Sequence, residues 1–198
     1  MTDKYSPAEI PGQGRRHSLP TSSRTALLLT GAPGSGKTTV VRRVAEKLSD
    51  ARIRGFTTEE IRKGGERVGF RIETFEGESA ILAHVSIRSD YRVSRYSVDV
   101  AALDRFVGPA LALSPRADVY VVDEIGKMEC FSDRIIEAME KLLDARRLVV
   151  ATVALRGKGF IERVKRRPDV ELWTVTRSNR ESLPSEVITW IARRRKRN

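Results

Sequence analysis

The chain alternates short apolar runs with segments whose apolar residues recur at helical spacing. Residues 26–29 form an apolar run that is typical of a buried strand. Behind them, apolar side chains recur every three or four positions and indicate a helix: Val40, Val41, Val44, Ala45 and Leu48. The two patterns continue to alternate and predict strands near 53–58, 119–122, 148–153 and 170–175, and helices near 100–113, 134–144 and 184–194.

The middle third of the chain has a different pattern. Residues 68–74 alternate apolar and polar side chains at strand period, and glycine-containing turns at 62–66 and 76–78 flank them. A second short strand is predicted at 80–85. These segments predict antiparallel strands that extend a parallel sheet. The whole alternation of strands and helices predicts a three-layer α/β fold with a mainly parallel sheet.

The length of 198 residues predicts one domain, which we assign to residues 25–192. Residues 1–24 are rich in proline, glycine and serine and predict a flexible leader, and residues 193–198 form a basic tail. Cys130 is the only cysteine, which excludes a disulfide within the chain, and no segment is long and apolar enough to cross a membrane. These features predict a cytoplasmic protein without membrane contact.

The net charge of +11 raises the question of nucleic-acid binding. Most of this excess lies at the two ends of the chain, and residues 193–197 are all basic. Basic side chains at the end of a helix also complement the helix dipole without any partner. Because the tail lacks interleaved aromatic residues, we favour that interpretation and keep a nucleic-acid-associated ATPase as an alternative.

Residues 31–38 match the phosphate-binding motif G-x-x-x-x-G-K-[ST]. Its glycines let the backbone wrap phosphate groups, and its amide groups point at the ligand from the start of a helix. Lys37 then reaches the β- and γ-phosphates, and the Thr38 hydroxyl holds Mg²⁺. The predicted nucleotide-binding residues of this loop are Gly31, Ala32, Pro33, Gly34, Ser35, Gly36, Lys37, Thr38 and Thr39.

Two carboxylates, Asp123 and Glu124, come directly after the apolar run at 119–122. In parallel α/β sheets ligands bind at the carboxyl ends of the strands, so both acids are expected to face the phosphate-binding loop. Asp123 then orients Mg²⁺, mostly through water. Glu124 aligns and deprotonates the water that attacks the γ-phosphorus. Alternatively, the acidic pair belongs to the N-terminus of a helix or to a solvated turn. The intact phosphate-binding loop makes this the weaker interpretation.

The identity of the phosphate acceptor distinguishes hydrolases from small-molecule kinases. A hydrolase needs a base for water, whereas a small-molecule kinase excludes water and usually closes arginines over the phosphates. In a nucleoside or nucleotide kinase, which we keep as an alternative, Glu124 would activate an acceptor hydroxyl. Thr58, Glu60 and Arg62 follow the second strand and either contact the phosphates or pair with each other in a hairpin.

Taken together, the motifs resemble those of one family, the small P-loop nucleoside-triphosphatases first characterised from thermophiles, which include the animal cancer-related nucleoside-triphosphatase. The resemblance covers residues 26–191, while residues 1–24 and 84–94 depart from the family pattern. It depends on six segments in order: GAPGSGKTT at 31–39, GFTTEEIR at 55–62, GGERVGF at 64–70, YSVD at 96–99, VDEIGKME at 122–129 and TRSNR at 176–180.

The resemblance implies a P-loop NTPase fold, RecA-like or kinase-like, and Mg²⁺-dependent hydrolysis of nucleoside triphosphates to diphosphates. It also implies broad base tolerance, so that ATP, GTP, CTP and UTP are all substrates. The sequence is consistent with broad base tolerance, because it contains no Asn-Lys-x-Asp motif of the kind that guanine-specific P-loop proteins hold against the base. Asn179 and Arg180 follow the last strand and are predicted to contact the base, because an arginine stacks on any base and an amide both donates and accepts. The alternative is that Asn179 caps the turn before the last helix.

Overall fold

Nine strands and five helices make up the part of the chain that the computed structural model describes, residues 24–195. The strands are β1 Ala26–Thr30, β2 Ile53–Lys63, β3 Glu66–Thr74, β4 Ser79–His84, β5 Arg92–Val93, β6 Tyr96–Val98, β7 Val119–Ile125, β8 Val149–Val153 and β9 Val170–Thr174. The helices are α1 Lys37–Lys47, α2 Val100–Ala110, α3 Asp133–Asp144, α4 Phe160–Lys165 and α5 Leu183–Arg195. A 3₁₀ turn spans Glu129–Phe131.

All the strands belong to one sheet in the order β5-β6-β4-β3-β2-β7-β8-β1-β9. The pairings among β2, β7, β8, β1 and β9 are parallel, and those that add β3, β4, β6 and β5 are antiparallel. The predicted three-layer P-loop NTPase fold with an antiparallel extension is therefore confirmed. The loops after β1, β7, β8 and β9 all leave the same edge of the sheet, where α/β proteins bind ligands.

The strands bury alternate side chains on opposite faces of the sheet, as the strand period requires. Leu27 and Leu29 of β1 pack against α1 and α5, with Val41 and Trp190 in that core. Leu28 belongs to the core on the other face, which α2, α3 and α4 cover. Two apolar cores thus hold the sheet between helices and fix the loops that follow its strands. Among residues 24–195, no helix combines the length and the apolar character that crossing a bilayer requires.

Several boundaries differ from the sequence prediction. β2 continues to Lys63, because its second half pairs with β3 in a hairpin outside the parallel sheet. The strands β5 and β6 and the six-residue helix α4 were not predicted, since segments this short carry no readable period. The predicted tail begins inside α5, which extends to Arg195. Residues 1–23 of the predicted leader and 196–198 of the tail lie outside the described residues.

Gly55 lies where β2 pairs with β7, opposite Val121, and has φ of +112°. A Cβ atom here would overlap the carbonyl oxygen of Val121. We expect Gly55→Ala to lower the free energy of unfolding by at least about 2 kcal/mol, because strain and overlap add. Gly77→Ala is the matched control: its φ is +91° with no atom within 4 Å of the added Cβ, so it costs only about 1 kcal/mol of strain. Urea titrations measure both, and equal losses would contradict the role of the Val121 contact.

Candidate active site

The phosphate-binding loop connects β1 to α1 and has the backbone shape that its glycines allow. Gly36, the residue before α1, has φ of +103°, and Gly34 has φ of +75°. A Cβ at Gly31 would lie 2.5 Å from the carbonyl oxygen of Val175. The hydroxyl of Ser35 is buried and has no hydrogen-bond partner among the described residues. The loop therefore leaves polar groups available at the N-terminus of α1, the end that binds anions.

Lys37, the first residue of α1, lies at the centre of the site. Its ammonium group is 3.5 Å from the Glu124 carboxylate and donates to the carbonyl oxygen of Gly31 at 3.4 Å. Only 11% of the Lys37 side chain is exposed, against 30% for Glu124. A cation with so little solvent around it attracts phosphate more strongly than an exposed one. The structure thus brings Glu124 of the acidic pair against Lys37 of the phosphate-binding loop.

Asp123 is fully buried behind the site, and hydroxyl groups from two neighbouring strands donate to its carboxylate. The Thr152 hydroxyl donates to one oxygen at 2.6 Å, and the Thr58 hydroxyl donates to the other at 3.4 Å. Asp123 is thus fixed in one orientation below the cavity rather than on its surface. This position suits an indirect action on a metal ion, through Thr58 or water, which is how Mg²⁺ is often held.

The carboxyl group of Glu124 is partly buried and lies beside one cation and one acid. Burial raises the pKa of its carboxyl group, Lys37 opposes that shift, and the neighbouring Asp123 adds to it. A raised pKa makes a carboxylate a better proton acceptor near neutral pH.

The turn after Glu124 is held by Glu129, a buried carboxyl group that accepts a hydrogen bond from the Gly126 amide at 3.1 Å. Burial raises the pKa of Glu129 to about 8. A Cβ at Gly126 would lie 2.7 Å from Glu129 and 3.1 Å from Glu124, so a glycine here lets the two acids approach.

The site opens into a cavity of about 1190 Å³. Among the predicted site residues, those that line it are Pro33, Gly34, Gly36, Lys37, Thr38, Thr39, Glu124 and Arg180. Gly31, Ala32 and Ser35 belong to the same loop but do not line the cavity. Thr38 is the predicted Mg²⁺ ligand that faces the cavity directly, and Asp123 lies behind it.

The two residues predicted to contact the base differ in their surroundings. Arg180 packs against the phosphate-binding loop, where a Cβ at Gly36 would lie 3.1 Å from its Cδ. Asn179 uses both side-chain polar groups in its own turn: its oxygen accepts from the Thr176 amide at 2.8 Å, and its nitrogen donates to the Thr174 carbonyl at 2.9 Å. With these two hydrogen bonds Asn179 caps its own turn, which is the alternative to a contact with the base.

The β2–β3 hairpin forms a second charged cluster on the cavity wall. Glu60 accepts from Arg62 at 2.6 Å and from Arg67 at 2.7 Å, and the bond from Arg67 is the main cause that lowers the pKa of Glu60. The charges of the hairpin therefore pair with each other. Arg42 of α1 donates to the Thr58 carbonyl at 3.0 Å and joins this hairpin to the phosphate-binding loop.

The sequence did not identify several residues of the site, among them Thr152 and Arg156. Thr152 was read as part of a buried strand, although a hydroxyl within an otherwise apolar run is the signal that would have identified it. Arg156 follows β8, lines the cavity and has no hydrogen bond or ion pair within residues 24–195. Nothing in its local sequence marks it, since only the strand order brings the loop after β8 between those after β1 and β7.

Comparison with known proteins gives a consistent result. The sequence model of a family described as NTPase matches residues 26–188. The nucleoside-triphosphatase THEP1 of Thermotoga maritima is 39% identical over 164 residues, which is 82% of this chain and 93% of the relative. The human cancer-related nucleoside-triphosphatase is 34% identical over 186 residues, 86% of this chain and 98% of the relative.

A solved structure agrees with these relatives. The crystal structure of THEP1 from the hyperthermophile Aquifex aeolicus superposes with a TM-score of 0.77 at 33% identity. The match covers 84% of this chain and 98% of that chain. Fold, motif order and sequence similarity thus extend over nearly all of the described residues.

Proposed function

The chain belongs to the NTPase family whose sequence model matches residues 26–188, and we propose that it hydrolyses nucleoside 5′-triphosphates to diphosphate and phosphate, with Mg²⁺ and with little discrimination among bases. The observation that supports this most directly is the Lys37–Glu124 pair, 3.5 Å apart at the floor of the cavity. This pair places a cation that can bind the phosphates beside a carboxylate that can accept a proton from water.

Each residue has a distinct part in the proposed reaction. The backbone amides at the start of α1 and the Lys37 ammonium bind the β- and γ-phosphates and stabilise the charge that develops in the transition state. Glu124 orients a water molecule toward the γ-phosphorus and accepts its proton. Glu129 and Gly126 hold the turn that carries Glu124. The products are a nucleoside diphosphate and inorganic phosphate.

The residues present suit Mg²⁺, and we propose Thr38 and Asp123 as those that hold it. No group of three or more histidine, cysteine, aspartate or glutamate side chains within residues 24–195 forms a metal site. Mg²⁺ does not require one, because it is commonly bound by one or two protein oxygens together with substrate phosphates and water. When bound, the ion neutralises phosphate charge.

We predict that ATP, GTP, CTP and UTP are all hydrolysed with kcat/KM values within about a hundredfold, because stacking by Arg180 discriminates little. A site that demands one hydrogen-bonding edge discriminates by about 10⁴ or more. Phosphate release from each triphosphate, with Mg²⁺ and with excess EDTA, measures base tolerance and metal dependence together. A preference for one base far beyond a hundredfold would contradict the predicted base tolerance. Full activity in excess EDTA would contradict the predicted metal dependence.

We also propose a cytoplasmic location. Cys130 is the only cysteine in the sequence, so no disulfide can form within the chain, and this is usual for proteins of a reducing compartment.

A further inference from the structure

The cavity is lined by more basic than acidic side chains. Among its lining residues within 24–195, eight are lysine or arginine and four are glutamate. This excess of positive charge suits a polyanion such as a triphosphate. Most of these cations are already held by other groups of the protein, and those that are not can turn fully toward a ligand.

The arginines of the cavity wall differ in their partners. Five of the six form a hydrogen bond or an ion pair with another residue: Arg42, Arg62, Arg67, Arg95 and Arg180. Arg156, on the loop after β8, forms neither within residues 24–195, and its side chain is exposed. All five donors of its guanidinium group are therefore available to a ligand in the cavity.

The backbone that carries Arg156 is fixed, although its side chain is not. The Ala154 amide donates to the Ile125 carbonyl at 3.1 Å and joins the start of the loop to the end of β7. The Lys165 ammonium of α4 donates to the Leu155 carbonyl at 3.0 Å, and only 11% of the Lys165 side chain is exposed. Because the two residues before Arg156 are held from both sides, this backbone needs no further ordering when the guanidinium binds a ligand.

The strand order places this loop beside the reactive end of the substrate. In the sheet, β8 lies between β1, which the phosphate-binding loop follows, and β7, which carries Glu124. The loop with Arg180 follows β9, on the other side of β1. A triphosphate with its base near Arg180 and its β-phosphate in the phosphate-binding loop therefore has its γ-phosphate near Glu124 and the loop after β8. Arg156 thus lies on the γ-phosphate side of the cavity and not on the base side.

We propose that the Arg156 guanidinium binds the γ-phosphate and that this contact makes the site select triphosphates over diphosphates. The inference rests on the proposed function, since the substrate must occupy the phosphate-binding loop. Lys37 favours both nucleotides, because it contacts the β-phosphate as well as the γ-phosphate. A contact with the γ-phosphate alone is lost once that group has left, so Arg156 does not retain the diphosphate product. Its planar group forms paired hydrogen bonds with phosphate oxygens and stabilises the charge of the γ-phosphoryl group in the transition state.

The test compares two nucleotides that differ by the γ-phosphate. Full-length protein with Mg²⁺ is titrated by calorimetry with ADP and with an ATP analogue that has a methylene group between the β- and γ-phosphorus atoms. Arg156→Met is expected to weaken binding of the analogue at least about tenfold, the scale of a lost charge-assisted phosphate contact, and to leave ADP affinity within about twofold. Arg156→Lys keeps the charge without the planar fork and is expected to lose less. Lys158→Met is the matched control, because this exposed lysine of the same loop does not line the cavity.

An equal loss of affinity for ADP and the analogue would overturn the inference, because Arg156 would then act on the part that both nucleotides share. Unchanged affinities in Arg156→Met, or the same selective loss in Lys158→Met, would overturn it as well. Lys127 also lines the cavity without a partner in the described part of the chain, so a selective loss in Lys127→Met alone would assign the contact to the turn after β7 instead. Phosphate release from ATP by the parent protein tests the proposed hydrolysis separately. A parent that binds neither nucleotide would overturn both proposals, and thermal melts confirm that the variants fold.

Discussion

Lys37→Ala is expected to lower kcat/KM for ATP hydrolysis by at least about 10³, because the phosphates lose the cation fixed nearest to them. With only 11% of its side chain exposed, Lys37 acts in a site that water screens poorly. The substitution also leaves the half-buried Glu124 carboxylate without its ion-pair partner. Both effects act on the same reaction and reduce turnover and triphosphate affinity together.

Lys47→Ala is the matched control for this variant. Lys47 lies in the last turn of the same helix, is exposed and does not line the cavity. Lys47→Ala removes the same charge from the chain, so an equal loss of kcat/KM in both variants would indicate a long-range effect of net charge. Initial rates across ATP concentrations and thermal melts of both proteins provide the comparison. Hydrolysis by Lys37→Ala within a few-fold of the parent would overturn the assignment of the phosphate-binding loop.

The parts of the site that the sequence predicted are those that local patterns determine. The loop at 31–38 needs its glycines and lysine at fixed spacing, and Asp123 and Glu124 directly follow their strand. The order of parallel strands then brings the two segments to one edge of the sheet. Lys37 and Glu124 are 87 positions apart in sequence, yet general rules of α/β folds were enough to pair them.

The contacts of the site that the sequence did not predict depend on the register and twist of neighbouring strands, which the pattern of a single segment does not encode. Arg67 and Tyr96 meet because β3, β4 and β6 pair in one particular alignment, with an irregularity in the β3–β4 pairing next to Phe70. Thr152 contacts Asp123 because its side chain points to one face of β8 and not the other. A shift of one residue in either strand would remove these contacts, and the hydrophobic pattern of a single segment does not state which residue of the neighbouring strand it pairs with. The contacts among β3, β4 and β6 were therefore accessible only from the structure.

Glu124→Gln is expected to keep the affinity for Mg²⁺·ATP while kcat falls by about 10² or more, the scale of a lost general base. The amide has the size of the carboxylate and can still orient water, but it does not accept a proton. Thr38 and Asp123, our proposed metal-holding residues, are unchanged, and the Thr152 and Thr58 hydroxyls still fix Asp123.

Pre-steady-state measurements with ATP separate binding from chemistry in this variant. A fluorescent triphosphate analogue gives the affinity, and single-turnover phosphate release gives the chemical step. Glu137→Gln, on the exposed surface of α3 where the carboxylate pairs with Lys141, removes the same charge away from the cavity and should leave both values unchanged. Collapse of Mg²⁺·ATP affinity with normal turnover at saturation would instead make Glu124 a metal-binding or structural group. In that case the proton of the attacking water would pass either directly to the γ-phosphate or to Glu129, the other acid beside Glu124 that lines the cavity.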